Sequence, residues 1–234
     1  MPEAYTITDQ ERMACAANYF AWQIRLAAPV LGRRVVEVGC GIGNFTGALL
    51  DREMVIALDV EAVCIERLKQ RYQNEPNLHA VVCGPGSYEF AGIARFQPDS
   101  CVCLNVLEHI EDDRGALCAM AGVLLPGGVI VLLVPAFEAL YGPIDRNLIH
   151  FRRYSRASLT ELARRAGLRI EKLHYVNAIG FFGWWTNAHI FRRQAQSAWQ
   201  IEKFDRWVVP WLSRLEAIAP PPFGQSLFAV LRKP

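Results

Sequence analysis

Short apolar runs alternate with stretches of helical periodicity through the first 135 residues, and this alternation is the feature that most limits the fold. The runs are apolar on both faces, which is typical of parallel strands covered by helices on both sides. We therefore predict an α/β fold with a mostly parallel sheet between two layers of helices. Strands are predicted at 34–38, 54–58, 78–82, 100–104 and 129–134, and helices at 8–28, 44–50, 61–72 and 112–124.

The rest of the chain is irregular, charged and aromatic up to residue 153, and then regular structure resumes. A helix over 155–166 precedes a strand over 168–175, and a last strand is predicted at 226–231. An aromatic-rich helical insertion separates these two strands. We predict one domain over 1–234. A helical cover occupies 1–33, the core 34–135, a loop region with the insertion 136–219, and the last strand 220–234.

Composition excludes several classes of function. Of the 234 residues 52% are hydrophobic, enough for one large core, and the net charge of +2 is too small for a general nucleic-acid-binding surface. No apolar stretch approaches the roughly 18 residues of a membrane span, and no leader-like segment opens the sequence, so we expect a cytoplasmic protein. The seven cysteines include no CxxC pair, and we expect reduced thiols without a metal.

A glycine-rich turn, VVEVGCGIGNF, follows the first predicted strand. Its glycines, Gly39, Gly41 and Gly43, have the spacing G-x-G-x-G, which is neither the G-x-G-x-x-G of dinucleotide-binding turns nor a P-loop. Glu37 stands two residues before the first glycine, where a carboxylate would repel a phosphate and attract an ammonium group. The turn therefore indicates a ligand that carries an amine.

Asp59 ends the second predicted strand, in the sequence VIALDVE. An acid at this position can accept hydrogen bonds from both hydroxyls of a ribose. It can also cap the helix predicted from residue 61, and the two roles are compatible. Because ligands of parallel sheets bind beyond the carboxyl ends of the strands, we expect the glycine turn, Asp59 and the segment 105–109 at one edge.

These segments, followed by LNVLEHIEDD and LLPGGVIVLLVP in order, resemble the class I S-adenosylmethionine (SAM)-dependent methyltransferases. The resemblance implies a Rossmann-like sheet of seven strands with an antiparallel last strand, SAM as cofactor and S-adenosylhomocysteine as product. It makes 34–135 the SAM-binding core and 136–219 the acceptor side. The residues that it implies are Glu37, Gly39, Cys40, Gly41 and Gly43 near the methionyl part, Asp59 on the ribose, Val60 beside the adenine, and Asn105 and Leu107 near the methionyl group.

Two positions depart from patterns of this family. Cys83 and Gly84 stand where an aspartate often meets the adenine amino group, so we expect adenine recognition from backbone groups or elsewhere. Some quinone O-methyltransferases of the superfamily resemble the chain at Glu108 and His109, but they place a metal with an acid at the position of Asn105. The resemblance therefore supports no metal, and His109 is either a structural histidine or a general base.

The loop YGPIDRNLIHFRRYS is similar to a segment on the acceptor side of many bacterial small-molecule methyltransferases. Three interpretations stay open. Arg152 and Arg153 could bind an acidic acceptor group, His150 or Asp145 could remove the acceptor proton, or an internal Asp–Arg network could hold the loop. The substrate-binding candidates in this loop are Tyr141, Arg152, Arg153 and Tyr154.

The aromatic insertion, within 178–215, interleaves tryptophan and phenylalanine with basic residues. It can form a lid core or line an acceptor pocket, with Trp184 as the candidate contact. It can also lie on an anionic membrane surface or form a dimer face. The oligomeric state, monomer or homodimer, stays open.

Methyl transfer from a sulfonium is an in-line displacement, which needs the acceptor and the methyl group close together in a dry pocket. We predict transfer to an oxygen or nitrogen atom of a small aromatic, lipid-like or acidic acceptor. A carbon atom of such an acceptor ranks below these two. His150 and then His109 are the candidate bases, and Asp145 would orient the imidazole. The alternatives are transfer of another group from SAM by the same fold, and a non-catalytic protein that binds SAM or a membrane surface.

Overall fold

Seven strands form one sheet in the computed structural model, which describes residues 3–195 and 197–234. They are β1 (Arg34–Val38), β2 (Met54–Asp59), β3 (Leu78–Val82), β4 (Ser100–Leu104), β5 (Val129–Pro135), β6 (Arg169–Val176) and β7 (Ser226–Arg232). Their order is β3-β2-β1-β4-β5-β7-β6, and β7 is antiparallel to both of its neighbours, whereas the other pairs are parallel. The predicted fold class is confirmed.

Helices pack on both faces of this sheet. They are α1 (Glu3–Met13), α2 (Ala17–Ala27), α3 (Ala62–Arg71), α4 (Tyr88–Ala91), α5 (Asp113–Val123), α6 (Pro143–Asn147), α7 (Arg156–Arg165), α8 (Ala178–Trp185), α9 (Ala198–Trp207) and α10 (Val209–Ile218). One face of the sheet packs against α5 and α7, and the opposite face against α2 and α10. The predicted insertion is confirmed, since α8, α9 and α10 all lie between β6 and β7.

The sheet is apolar on both faces because successive side chains of each strand point to opposite sides. Val36, Ile56 and Cys101 lie in one core, and Val35 and Val55 lie in the other. All five side chains are fully buried. This double burial explains why the strands read as continuous apolar runs in the sequence.

Two predicted helices are wrong. The helix predicted over 8–28 is two helices, α1 and α2, because the carboxylate of Asp205 in α9 accepts hydrogen bonds from the backbone N–H groups of Asn18 and Tyr19. A continuous helix would use those groups internally. The helix predicted over 44–50 is a single 3₁₀ turn, Thr46–Leu49, where the Thr46 hydroxyl donates to Glu37.

Asp205 therefore acts as the cap of α2, for which Ala16 offers no side-chain acceptor. Asp205→Ala should lower the free energy of unfolding by about 2–3 kcal/mol, because it leaves part-buried N–H groups without an acceptor. Urea titration followed by circular dichroism measures this loss. Glu202→Ala, an exposed change in the same helix, is the matched control. Equal stability of the two variants would show that Asp205 does not cap α2.

Candidate active site

A cavity of about 940 Å³ opens at the carboxyl edge of the sheet. One side is formed by residues that follow the strands, among them Gly39, Asp59 and Asn105. The opposite side is formed by the insertion, including Trp184 and Phe204. Ligands of doubly wound sheets bind at this edge, so the cavity has both the place and the size of a cofactor and acceptor site.

The glycine turn leaves no room for side chains at its three glycines, of which the first two line the cavity. Gly39 and Gly41 have φ angles of +75° and +53°, which residues with a side chain rarely adopt. A Cβ atom on Gly39 would lie 2.2 Å from the Val106 side chain, and one on Gly41 would lie 2.0 Å from the Gln10 side chain. The backbone is thus the surface that the turn presents to the cavity, and Cys40 lines the cavity between the two glycines.

Glu37 lies at the end of β1 as a buried carboxyl, with 4% of the residue exposed. Its Oε2 accepts a hydrogen bond of 2.6 Å from the Thr46 hydroxyl. Burial raises the pKa of Glu37 to about 8, and the Thr46 bond opposes the shift only in part. A buried acid of this kind is stabilised as a carboxylate when a cation is placed beside it.

Asp59 holds the glycine turn against the end of β2. Its Oδ2 accepts from the N–H of Gly41 at 2.8 Å, and its Oδ1 accepts from the N–H of Glu61 at 3.0 Å. Burial raises the pKa of Asp59, and these two backbone donors oppose the shift. Each carboxylate oxygen has two lone pairs, so both oxygens can accept one more donor from a ligand in the cavity.

The remaining cofactor candidates occupy different depths. Val60 lines the cavity and is 65% exposed beside the strand end, and Cys83 and Gly84, the positions that depart from the family pattern, line it too. Asn105 also lines it and has a left-handed backbone with φ of +54°, which asparagine tolerates better than most residues. Leu107 is fully buried in the core next to the site and is not among the lining residues.

Asp145 is the centre of a buried polar network. The side chain is fully buried, and its Oδ1 lies 2.9 Å from His150 Nδ1 and accepts from Arg153 Nε at 2.8 Å. Its Oδ2 accepts from the Gly142 N–H at 2.9 Å and from Trp184 Nε1 at 3.3 Å. Burial alone would raise the pKa of Asp145, but the bonds from His150 and the charge of Arg153 lower it, so the group is ionised.

Glu108, His109 and His150 form a second cluster at the cavity. Each side chain offers one potential metal-ligand atom, a carboxylate oxygen or a ring nitrogen, and these three atoms lie within 4.8 Å of one another. Among the described residues, Glu108 Oε2 and His109 Nδ1 have no hydrogen-bond partner. Burial raises the pKa of Glu108 to about 7, and burial together with His150 lowers the pKa of His109 to about 4. His109 is therefore neutral at pH 7, and the three groups could serve as proton acceptors or hold a divalent cation.

The structure brings only part of the predicted acceptor side to the cavity. Arg153 and Trp184 line it, with the guanidinium 4.8 Å above the indole ring.

The other three acceptor-side candidates lie behind the residues that line the cavity. Tyr141 donates to the His150 carbonyl at 2.7 Å, Arg152 pairs with Asp113 at 2.7 Å, and the Tyr154 hydroxyl lies 3.0 Å from Asp113.

Two residues of the site carried no signal in the sequence. Gln10, in α1, accepts from the Ile42 N–H at 2.8 Å with its side-chain oxygen and lines the cavity. Thr46 reaches Glu37 from the turn after the glycines. Both contacts depend on how the chain folds over the turn, and neither residue belongs to a motif that could have indicated it.

The strand order and the carboxyl-edge site define the Rossmann-like class of SAM-binding enzymes. A family profile described as "Methyltransferase domain" matches residues 10–173, and the chain belongs to that family. SAM is the cofactor of this protein. A Mycolicibacterium smegmatis protein named probable S-adenosylmethionine-dependent methyltransferase is 30% identical over 182 residues, which cover 73% of this chain and 68% of that protein.

Two further proteins are similar to this chain. The ubiquinone biosynthesis O-methyltransferase of Thiobacillus denitrificans is 26% identical over 162 residues, 62% of this chain and 68% of that protein. The N-methyltransferase NodS of Bradyrhizobium japonicum, solved with S-adenosyl-L-homocysteine, has a TM-score of 0.56 at 19% identity and covers 92% of this chain and 84% of its own. At that identity, the second similarity shows the fold.

The buried network makes a stability prediction. Asp145→Asn removes the counter-charge of Arg153, whose side chain is 1% exposed, and should lower the free energy of unfolding by about 3–5 kcal/mol. Glu161→Gln, which breaks an exposed ion pair with Arg164 and Arg165, should change it little. Thermal and urea unfolding compare the two variants. A loss for Asp145→Asn no larger than for Glu161→Gln would contradict the account.

Proposed function

We propose that the protein transfers the methyl group of SAM to an oxygen or nitrogen atom of a small acceptor. The observation that carries this proposal is His150, which lines the same cavity as the glycine turn and is held by Asp145 through Nδ1. A buried imidazole whose one nitrogen is fixed by a carboxylate leaves the other nitrogen to take a proton.

Glu37 is the proposed partner of the α-ammonium group of SAM. The residues fit this ligand because the buried carboxyl has one hydrogen-bond partner among the described residues, Thr46, and would gain a counter-charge on binding. Gly39, Cys40 and Gly41 would present backbone to the methionyl part. A phosphate in the same place would face a buried acid, which is unfavourable.

Asp59 is the proposed partner of the two ribose hydroxyls. The carboxylate is already fixed by two backbone N–H groups, so it would bind without losing further side-chain freedom. Val60 would pack beside the adenine, and Asn105 would lie below the methionyl group, with Leu107 behind it. Gly43 would act by shaping the turn.

The chemistry requires little beyond position and a proton acceptor. When bound, SAM supplies an electrophilic methyl group that leaves its sulfur as the acceptor lone pair forms the new bond. His150 would take the proton of the acceptor hydroxyl or ammonium group, and Asp145 would stabilise the imidazolium that forms. His109, neutral and with a free Nδ1 among the described residues, is the second candidate base.

The acceptor would bind between the histidines and the insertion. We retain Arg153 and Trp184 as acceptor-side residues because both line the cavity. The charge of Arg153 is balanced by Asp145, so an aromatic or lipid-like acceptor is favoured over a strongly acidic one. Tyr141, Arg152 and Tyr154 would act indirectly, by holding the loop. The names of relatives include both O- and N-methyltransferases, which supports the choice of these two atoms.

A labelling experiment tests the proposal. The protein is incubated with SAM labelled in the methyl group and a fractionated extract of its source organism. We expect a small product that has gained one methyl group. His150→Ala should lower its formation by about 10²–10⁴-fold without changing SAM affinity, because the variant lacks the base. His79→Ala, on β3 away from the cavity, should keep the wild-type rate.

Other outcomes would overturn the proposal. A product that has gained a different group from SAM would support the alternative group transfer, and SAM binding without any product would support the non-catalytic alternative. An unchanged rate in both His150→Ala and His109→Ala would exclude base catalysis by these residues. Complete loss of turnover with a chelator, restored by a divalent cation, would contradict the metal-free mechanism and assign the Glu108–His109–His150 cluster to a metal.

A further inference from the structure

The outer face of the insertion is unusually apolar for a protein surface. Of the large hydrophobic side chains exposed in the described residues, nine lie within 182–218, a short part of the chain. Four of the six tryptophans of the sequence are among them. The nine are Phe182, Trp185, Ile190, Phe191, Trp199, Trp207, Trp211, Leu215 and Ile218, which are 44–84% exposed.

Helical spacing places several of these side chains on one stripe. Trp199, Lys203 and Trp207 recur at intervals of four residues along α9, and Trp211, in α10, adjoins them because its Nε1 donates to the Trp207 carbonyl at 2.8 Å. Residues at this spacing share one face of a helix. The opposite face is turned inward, since Phe204 lines the cavity and Val209 is buried in the core. The stripe is therefore a surface that the fold itself leaves uncovered.

The charge around the stripe is strongly one-sided. The basic residues within 182–218 are Arg192, Arg193, Lys203, Arg206 and Arg214. Two of the three acids there are engaged in the fold: Asp205 caps α2, and Glu216 accepts from the N–H groups of Asn177 and Ala178 at 2.8 and 2.9 Å. Among the exposed charged side chains of this described segment, Glu202 is therefore the one acid, beside four cations, Arg192, Lys203, Arg206 and Arg214.

We propose that this aromatic and basic face, formed by α8 to α10, binds the surface of an anionic lipid bilayer. Tryptophan rings favour the interface between headgroups and acyl chains, and neighbouring basic side chains are attracted to anionic headgroups. A second copy of the chain is a poorer occupant, because a symmetric contact would bring two sets of these cations together. The contact is peripheral, since none of the helices in the described residues is long and apolar enough to cross a membrane.

The position of the face gives the contact a role in the reaction, and this step rests on the proposed function. Gln200, Ile201 and Phe204 of α9 line the cavity, while Trp199 and Trp207 of the same helix face outward. One helix, about 10 Å across, thus separates the proposed membrane surface from the site of methyl transfer. The acceptor class that fits is an amphiphile whose polar head reaches His150 while its apolar part stays beside the insertion.

Vesicle binding by the full chain tests the surface. The probes are vesicles of phosphatidylcholine alone and vesicles with phosphatidylglycerol at about a third of the lipid, separated by flotation at low salt. We expect binding to the anionic vesicles, weakened by added salt, and a blue shift of tryptophan emission. The double variant Trp199→Ala, Trp207→Ala should bind at least about tenfold more weakly, since it removes two interfacial anchors.

A matched control separates this surface from exposed apolar residues in general. The double variant Tyr88→Ala, Leu125→Ala removes two exposed side chains elsewhere, 91% and 41% exposed, and should bind vesicles as the wild type does. Absence of binding to anionic vesicles, or an equal loss in both double variants, would overturn the proposal. A concentration-dependent dimer that the Trp199, Trp207 variant abolishes, without vesicle binding, would also overturn it in favour of a second copy.

Measurements of SAM binding and of methyl transfer distinguish failure of the membrane surface from failure of the proposed function. The Trp199→Ala, Trp207→Ala variant should bind SAM like the wild type, because neither side chain lines the cavity. Vesicle binding without methyl transfer would leave the surface in place and reject the proposed function. Methyl transfer to a water-soluble acceptor without vesicle binding would reject the membrane surface and leave the proposed function in place.

Discussion

Parallel pairing of β1 with β2 and β4 is the constraint on which the site depends. In this register Glu37 lies opposite Ala57 on one side and Val102 on the other, so three strands end side by side. The glycine turn follows the first, Asp59 ends the second, and Asn105 follows the third. A shift of one residue would turn the side chains of a strand to the opposite face and separate these groups.

Burial at this edge then decides the protonation of each acid. Glu37 and Glu108 are buried with few partners, which raises their pKa values to about 8 and about 7. Asp145 is also buried, yet His150 and Arg153 keep its pKa low. Groups of the same chemical type are thereby divided into three kinds: a mainly neutral acid at the cofactor edge, Glu37, an acid that titrates near neutral pH beside the histidines, Glu108, and a permanent carboxylate behind His150. Such a division is typical of sites that move protons.

The sequence was sufficient for features that depend on local pattern. The apolar runs predicted the strands, and the glycine turn with Glu37 and Asp59 predicted the cofactor edge. The break between α1 and α2 could not be predicted, because its cause, Asp205, lies 187 residues from Asn18. The same limit applies to the loop 141–155: its composition left an ion network and an acceptor site open, and only the fold shows Arg153 bound to Asp145.

The most direct test of the account is the proton balance of SAM binding, since Glu37 is its central residue. Calorimetry at about pH 6.5 in two buffers of different ionisation enthalpy counts the protons exchanged. Because the pKa of Glu37 is about 8 in the free protein, an arriving ammonium group should release close to one proton per SAM bound. Glu37→Gln should abolish this release and weaken binding. A binding enthalpy independent of the buffer in the wild-type protein would contradict the placement of the cofactor.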